Sequence, residues 1–337
     1  TVITVLSGLI VLGGFSIALM IPLLFVSRFL LGAFQGPLFP ATAGGVIARW
    51  FPSGSWALPN GMTSTALALG SASTPPIIVY LAEYFGWEST FFLISILGVI
   101  GALIWWKYST NWPAEHPDIN REELELIGQS DFNNNQMSWP LIKEVLTNKD
   151  VLFTALGYMS MNYVFFIFYS WIFIYFVTIR GFNMLEGSLL ASLPFLMGAI
   201  GATCGGFLCD RLQMRYGVTW GHRIPIIIGL IPSAGFLLFG SITENPYLAV
   251  LSLSLCYGFI ELTEGPFWST IGFISDKPQA AGGILNTGGN LGGVLATPLI
   301  PIMVAQYDWV IALNTGGVFA FLGVLFFMQV NFKEADE

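Results

Sequence analysis

Arg28 is the one basic residue set inside a long apolar run. Near a bilayer centre an arginine costs about 2.5–3.5 kcal/mol on insertion scales. Such a residue faces protein or water, not lipid. Helical spacing puts Arg28, Gly32, Gln35 and Phe39 on one face. Gly32 leaves room one turn away, and a guanidinium holds a carboxylate through two parallel hydrogen bonds. The chemistry is anion binding; the plainer alternative is an arginine that snorkels to the interface or pairs with helix-end carbonyls. Glu261 and Glu264 lie three residues apart in a second apolar run and are expected to share a helix face. Two carboxylates so close in low dielectric resist ionising together. A carboxyl group that gains and loses a proton is what proton coupling needs; the alternative is an ion pair or an interhelical hydrogen bond. Asn286, Asn290, Gly293 and Thr297 form a polar stripe. It suits ligand hydroxyls, or interhelical contact, which Gly288, Gly289 and Gly292 would also serve. Tyr158, Asn162 and Tyr169 form a weaker stripe, and Trp268 is counted among the ligand contacts. Tyr163, Trp171 and Tyr175 read as packing or interfacial aromatics.

The elements that carry these residues follow from composition. The chain of 337 residues is 55% hydrophobic and only 9% charged. A soluble domain carries roughly 25% charged residues, so this chain needs lipid around it. A spanning helix takes about 20 apolar residues. Ten such segments are expected, at 1–20, 21–48, 57–82, 89–107, 151–178, 185–208, 223–242, 246–273, 280–305 and 309–330. The long polar break at 108–150 holds an acidic run, with Leu124 and Ile127 suggesting a short amphipathic helix, then Asn133-Asn134-Asn135. It divides the chain into an N-terminal bundle, 1–107, and a six-helix bundle, 151–332. Of the twelve Lys and Arg residues, ten fall on one side of alternating loops and only Arg180 on the other, leaving Arg28 in a span. The rich side is expected to be cytoplasmic, which puts both ends of the chain inside.

Gln35-Gly36-Pro37-Leu38-Phe39 and Glu264-Gly265-Pro266-Phe267-Trp268 occupy matching places in the two halves. Each proline removes a backbone donor and loosens its helix. Interrupted helices at corresponding positions point to a transporter site, with Gly36, Pro37 and Pro266 as the hinges. On this pairing the first half is two helices short of the second. Cys204, Cys209 and Cys256 fall in apolar runs and read as buried small hydrophobes. His116 and His222 are placed in separate cytoplasmic loops, too far apart in sequence to suggest a shared metal site. Nothing in the sequence suggests a cofactor, a nucleic-acid partner or a nucleophile–base pair.

Several of these pieces resemble the major facilitator superfamily, in its anion:cation symporter branch. Gly205-Gly206-Phe207-Leu208-Cys209-Asp210-Arg211, with Arg223 beyond, resembles the loop between helices 8 and 9 of that fold. Arg28-Phe29-Leu30-Leu31-Gly32, Gly36, Phe39-Pro40-Ala41 and Arg49-Trp50-Phe51-Pro52 resemble helix 4. Asn111-Trp112-Pro113-Ala114-Glu115-His116-Pro117 resembles the central loop, and Gly282 to Asn290 resembles helix 11. The resemblance implies an all-α, two-bundle membrane fold of which helices 3–12, ten of twelve, are present. It also implies a central cavity lined by helices 1, 4, 7 and 10, and transport of organic anions such as sugar acids. Two departures stand out: Gln35 replaces the branch's usual helix-4 acid, and Ser55-Trp56 replaces a Glu-Arg pair.

The expected activity is secondary transport of a small organic anion by alternating access, with a proton as co-substrate. An uncoupled uniporter or an exchanger is the alternative. Arg28, Gln35, Asn286, Asn290, Tyr158, Asn162 and Trp268 are the expected ligand contacts. Glu264 is the expected proton carrier and Glu261 its tuner. Asp210 and Arg211 are expected to serve a gate or loop packing. The partners are the lipid bilayer of an inner membrane, the carboxylate substrate and H+, and the expected state is a monomer.

Overall fold

A computed structural model describes residues 1–36, 38, 42–52, 55–127 and 139–332. Pro37, Phe39, Pro40, Ala41 and the Asn133–Asn135 run lie outside the described residues. The N-terminal half holds α1 (Val2–Leu12), α2 (Ile17–Gln35), a π-helical segment (Thr42–Ile47) ending in Ala48–Trp50, α3 (Ala57–Phe85) and α4 (Trp87–Tyr108). Two short helices follow, α5 (Arg121–Ile127) and α6 (Trp139–Thr147). The C-terminal half holds α7 (Lys149–Thr178), α8 (Met184–Ile242), α9 (Pro246–Glu261), α10 (Glu264–Ile274), α11 (Pro278–Gln306) and α12 (Trp309–Phe327). Among the described residues eight helices are long and apolar enough to cross a membrane, with Val2–Leu12 shorter. Val145 of α6 is buried, and α6 packs on α11.

Polar caps set the helix starts in the C-terminal half. Asn148, Asn183, Asn245 and Asp308 each accept from backbone N–H groups of the following first turn. These donors have no intrahelical partner, and caps of this kind stabilise a helix by about 1 kcal/mol. Arg180 closes the opposite end of α8, donating to the carbonyls of Gly240, Ser241 and Thr243. The large buried side chains, including Tyr163, Phe168, Phe176, Tyr257 and Phe267, belong to this half. The spans of the N-terminal half bury far less of themselves.

Three boundaries differ from the sequence expectation. The break expected near residue 20 falls at 13–16, with Gly14 at φ 62°. An uninterrupted apolar run hid it. The break expected at 209–222 is helical on both sides of a single turn at Gly217 (φ 76°, ψ 171°), because a helix that leaves the membrane needs no apolar residues. Asp210 and Arg211 therefore lie on a helix. His222 is not in a loop: it is fully buried, its Nε2 2.9 Å from Ser269 Oγ. Finally, the expected 246–273 helix is broken at Leu262-Thr263. Pro266 has no N–H for the Leu262 carbonyl four residues earlier, and the Cα of Gly205 is pressed against that carbonyl. Glu261 and Glu264 thus end one helix and begin the next, and do not share one continuous face. Cys209 and Cys256 are buried, while Cys204 is exposed.

Candidate functional site

The polar centre of the C-terminal half is built around Glu264, which is 7% exposed. Its Oε1 accepts from Tyr158 Oη at 2.7 Å and from Trp268 Nε1 at 3.0 Å. Trp268 Nε1 also lies 3.1 Å from Tyr158 Oη, which closes a triangle. Trp268 sits one helical turn beyond Glu264, so α10 alone brings those two together. Tyr158 comes from α7, where its ring meets Phe267 at 5.4 Å and Trp268 at 5.9 Å between centroids. Gly289 of α11 lets the Tyr158 ring approach: a Cβ there would fall 2.6 Å from Cε1. Asn162, also buried, donates to the Tyr158 carbonyl at 3.0 Å. Hydrogen bonds to a charged group contribute about 1.5–3 kcal/mol each, and a buried carboxylate needs them. The arrangement can therefore hold a negative charge inside the protein.

Glu261 lies across the break and is 3% exposed. Its Oε1 has no hydrogen-bond partner among the described residues. Glu264 and the Tyr257 phenol are the ionisable groups that act on it. The end of α9 rests on α8 through Gly198, Gly201 and Gly205. A Cβ at Gly198 would fall 2.6 Å from the Tyr257 ring and 3.0 Å from Glu261 Cγ. Sequence reading passed over Tyr257, although its spacing of four from Glu261 was legible.

The remaining expected residues are placed elsewhere. Arg28 is exposed on α2, with its guanidinium 5.7 Å from the Phe91 ring centroid, and it does not touch the Glu264 triangle. Gln35 is exposed in the last turn of α2. Asn286 reaches the other half: its Nδ2 donates to the Gly36 carbonyl at 2.9 Å. Pro40 has no N–H to offer that carbonyl from within its own chain segment. Asn290 is exposed and donates to the Asn286 carbonyl at 2.8 Å. Pro266 stands in the first turn of α10, and Pro37 lies outside the described residues.

A second contact between the halves runs through Asp210, for which the sequence suggested a gate or loop-packing role but no partner. Asp210 of α8 accepts from Ala57 N at 3.2 Å and Leu58 N at 3.0 Å, capping α3. A carboxylate suits a helix N-terminus. Further along the same pair, Thr65 Oγ1 lies 2.7 Å from Thr203 Oγ1 and donates to the Ala199 carbonyl at 3.1 Å. Gly61, Ala202, Gly206 and Gly265 let the backbones meet between them. Arg211 is exposed, over the ring of Phe207 on its own helix. Arg49 stacks on Trp112 at 4.6 Å, and Trp50 meets His116 edge-on, which joins the end of the helix-4 motif to the central-loop motif. Among the described residues no group of three His, Cys, Asp or Glu side chains is placed to hold a metal ion.

Known proteins set this geometry in context. The sequence profile of the Major Facilitator Superfamily matches residues 1–282. The chain is 33% identical over 313 residues to the probable galactarate/D-glucarate transporter GudP of Bacillus subtilis, covering 88% of this chain and 67% of that one. It is 29% identical over 315 residues to the hexuronate transporter of the same organism, covering 91% and 73%. The probable sulfoacetate transporter SauU of Cupriavidus necator is 28% identical over 293 residues, covering 85% and 66%. The chain thus spans about two thirds of the length of these relatives. Among solved structures, the transporter FucP in its outward conformation matches with a TM-score of 0.64, at 14% identity, over 93% of this chain and 77% of that one. A bacterial homologue of the lysosomal transporter Spinster, inward-facing, matches with a TM-score of 0.55, at 14% identity, over 99% and 82%.

Proposed function

Because the chain belongs to the Major Facilitator Superfamily, and is a membrane transporter and not an enzyme, we propose that it carries a small organic anion by proton-coupled symport. The substrate class is a sugar acid or hydroxy acid, in keeping with the sugar-acid names of the relatives. The observation that carries the coupling is the buried Glu261–Glu264 pair at a helix break. Two halves, 1–107 and 151–332, joined through 108–150, alternate around the site. Arg28 supplies the bidentate partner for the substrate carboxylate. Gln35, Asn286, Asn290, Tyr158, Asn162 and Trp268 meet its hydroxyls and carbon face. The α3–α8 contact through Asp210 and Thr65 closes one side, with Gly36 and Pro266 near the points that flex. The charge bias of the loops supports a cytoplasmic 108–150, a periplasmic Arg180 and an inner-membrane location in bacteria.

Proteoliposomes loaded with radiolabelled D-glucarate test this. An inward proton gradient is expected to drive accumulation, and Arg28→Lys is expected to lose most of it, because an ammonium cannot replace the guanidinium fork. Equilibration without accumulation would favour the uniporter or exchanger, the reading that Gln35 supports by standing where the resemblance to the branch implies an acid. No movement of any sugar acid would overturn the proposal. Cysteines at Asn183 and Met214, both exposed, should label from opposite sides of intact cells.

A further inference from the structure

The proton-coupling reading does not by itself separate the two glutamates, but their surroundings do. Resting on that reading, we propose that Glu261 is the group that carries the proton, and that Glu264 is a resident carboxylate that positions Tyr158 and Trp268. A carboxylate offers about four lone-pair sites and no donor. Glu264 has two donors converging on one oxygen, Tyr158 Oη and Trp268 Nε1. That is the coordination of an anion. Glu261 is equally buried, yet its Oε1 meets no donor among the described residues. Among the described residues the charged and titratable groups that act on it are Glu264, from α10, and Tyr257, from its own helix, whose phenol is a hydrogen-bond partner; no cation is among them. Across the facing stretch of α8 there are Gly198, Gly201 and Gly205, which bring no charge.

A buried anion served by a single phenol and no cation is costly, and beside a second carboxylate it costs more. The O–H form of Glu261 removes both costs, so in this conformation the proton rides on Glu261. Release then needs water at the end of α9. Glu261 sits on the last residue of a helix whose next carbonyl, Leu262, has lost its own donor to Pro266. The end of the helix meets Gly201 and Gly205 backbone to backbone, while Phe195 and Phe236 of α8 meet the rings of Tyr257 and Phe259. Small shear of packed helices is an ordinary route of domain motion. When the shear admits water, the O–H bond breaks, the proton passes to water and Glu261 is left as a solvated carboxylate. Glu264 keeps its two donors throughout.

A pH-sensitive dye trapped in proteoliposomes reads the proton directly when D-glucarate is added outside. Glu261→Gln is expected to lose at least tenfold of the proton signal while glucarate counterflow remains detectable. Glu264→Gln is expected to keep a proton signal but to raise KM for glucarate, since the amide holds Tyr158 and Trp268 less firmly. Glu261→Asp, which keeps a titratable group, is expected to restore the signal in part and guards against loss by misfolding. Loss of the signal in Glu264→Gln alone, or in both Gln variants alike, would overturn this division of labour. Counterflow without any proton signal in the unmutated protein would instead overturn the symport reading itself.

Discussion

The two interrupted helices begin from nearly the same peptide and end in different company. In each a proline leaves a carbonyl unserved: Pro266 of Glu264-Gly265-Pro266 has no N–H for Leu262, and Pro40, just beyond Gln35-Gly36-Pro37, has none for Gly36. In the C-terminal half the orphaned carbonyl is Leu262, and it is shut in by Gly205 of the same half. In the N-terminal half it is Gly36, and the group that serves it, Asn286, comes from the opposite half. Glu264 is buried in a triangle of hydrogen bonds, whereas Gln35 is exposed. One break therefore builds an interior that holds charge. The other builds a contact between the halves. The repeat preserved the backbone weakness, and the neighbours decided its use.

The largest effect should come from filling the C-terminal break. Gly205→Ala would press a methyl group into the Leu262 carbonyl, which is backbone and cannot step aside. Overpacking costs about 1–3 kcal/mol and occasionally more; against immovable backbone the upper end or beyond is expected, and a fall in the melting temperature of the detergent-solubilised protein would register it. Gly36→Ala is the matching change in the other half. Gly36 is helical, at φ −52° and ψ −42°, and a Cβ there would meet the Gly32 carbonyl at 3.2 Å. A Cβ in the α region also meets the ring of a following proline, so alanine should destabilise, but less than at Gly205. Equal destabilisation by both would break the comparison.

A smaller effect belongs to the triangle. Tyr158→Phe removes one of the two donors to Glu264, a loss of about 1.5–3 kcal/mol for a bond to a charged acceptor. A double-mutant cycle with Glu264→Gln, read by the same melts, should show the two losses to be non-additive by at least about 0.5 kcal/mol. Additive losses would mean that the Tyr158 hydroxyl does not depend on Glu264.

The sequence made the spans legible because lipid demands long apolar runs, and all ten expected segments have a helical counterpart. Their ends were less legible. Gly13-Gly14 lay inside an apolar run, and 209–222 was polar but helical. Tyr158, Asn162, Glu264 and Trp268 were each chosen separately by type. Their meeting depends on how α7 and α11 approach α10, which periodicity cannot show in helices that are apolar all round. Arg28 was read for the fork it offers a carboxylate. Its ring neighbour, Phe91, lies in α4, and nothing in the spacing linked the two.

The smallest effect should come from Asn286→Ala, and its kind matters more than its size. The Asn286 amide is an uncharged donor to an uncharged carbonyl, so its net contribution is about 0.5–1.5 kcal/mol. Gly36 is only half-buried, so water can serve the carbonyl when the amide is gone. The bond joins the two halves and no two helices of one half, so its loss should leave the melting temperature of the C-terminal core nearly unchanged. It should instead shift the balance between arrangements of the halves, by about two- to tenfold for that energy. Spin labels at Lys107 and Met214, one exposed residue on each half, would report this as a changed ratio of short to long distances. Asn290→Ala is the control. Its amide is spent on the Asn286 carbonyl within α11, so the distance distribution should stay as it is. If Asn286→Ala lowers the melting temperature as Tyr158→Phe does, and leaves the distances alone, then the N-terminal break is a packing feature like its counterpart, and the contrast between the two fails.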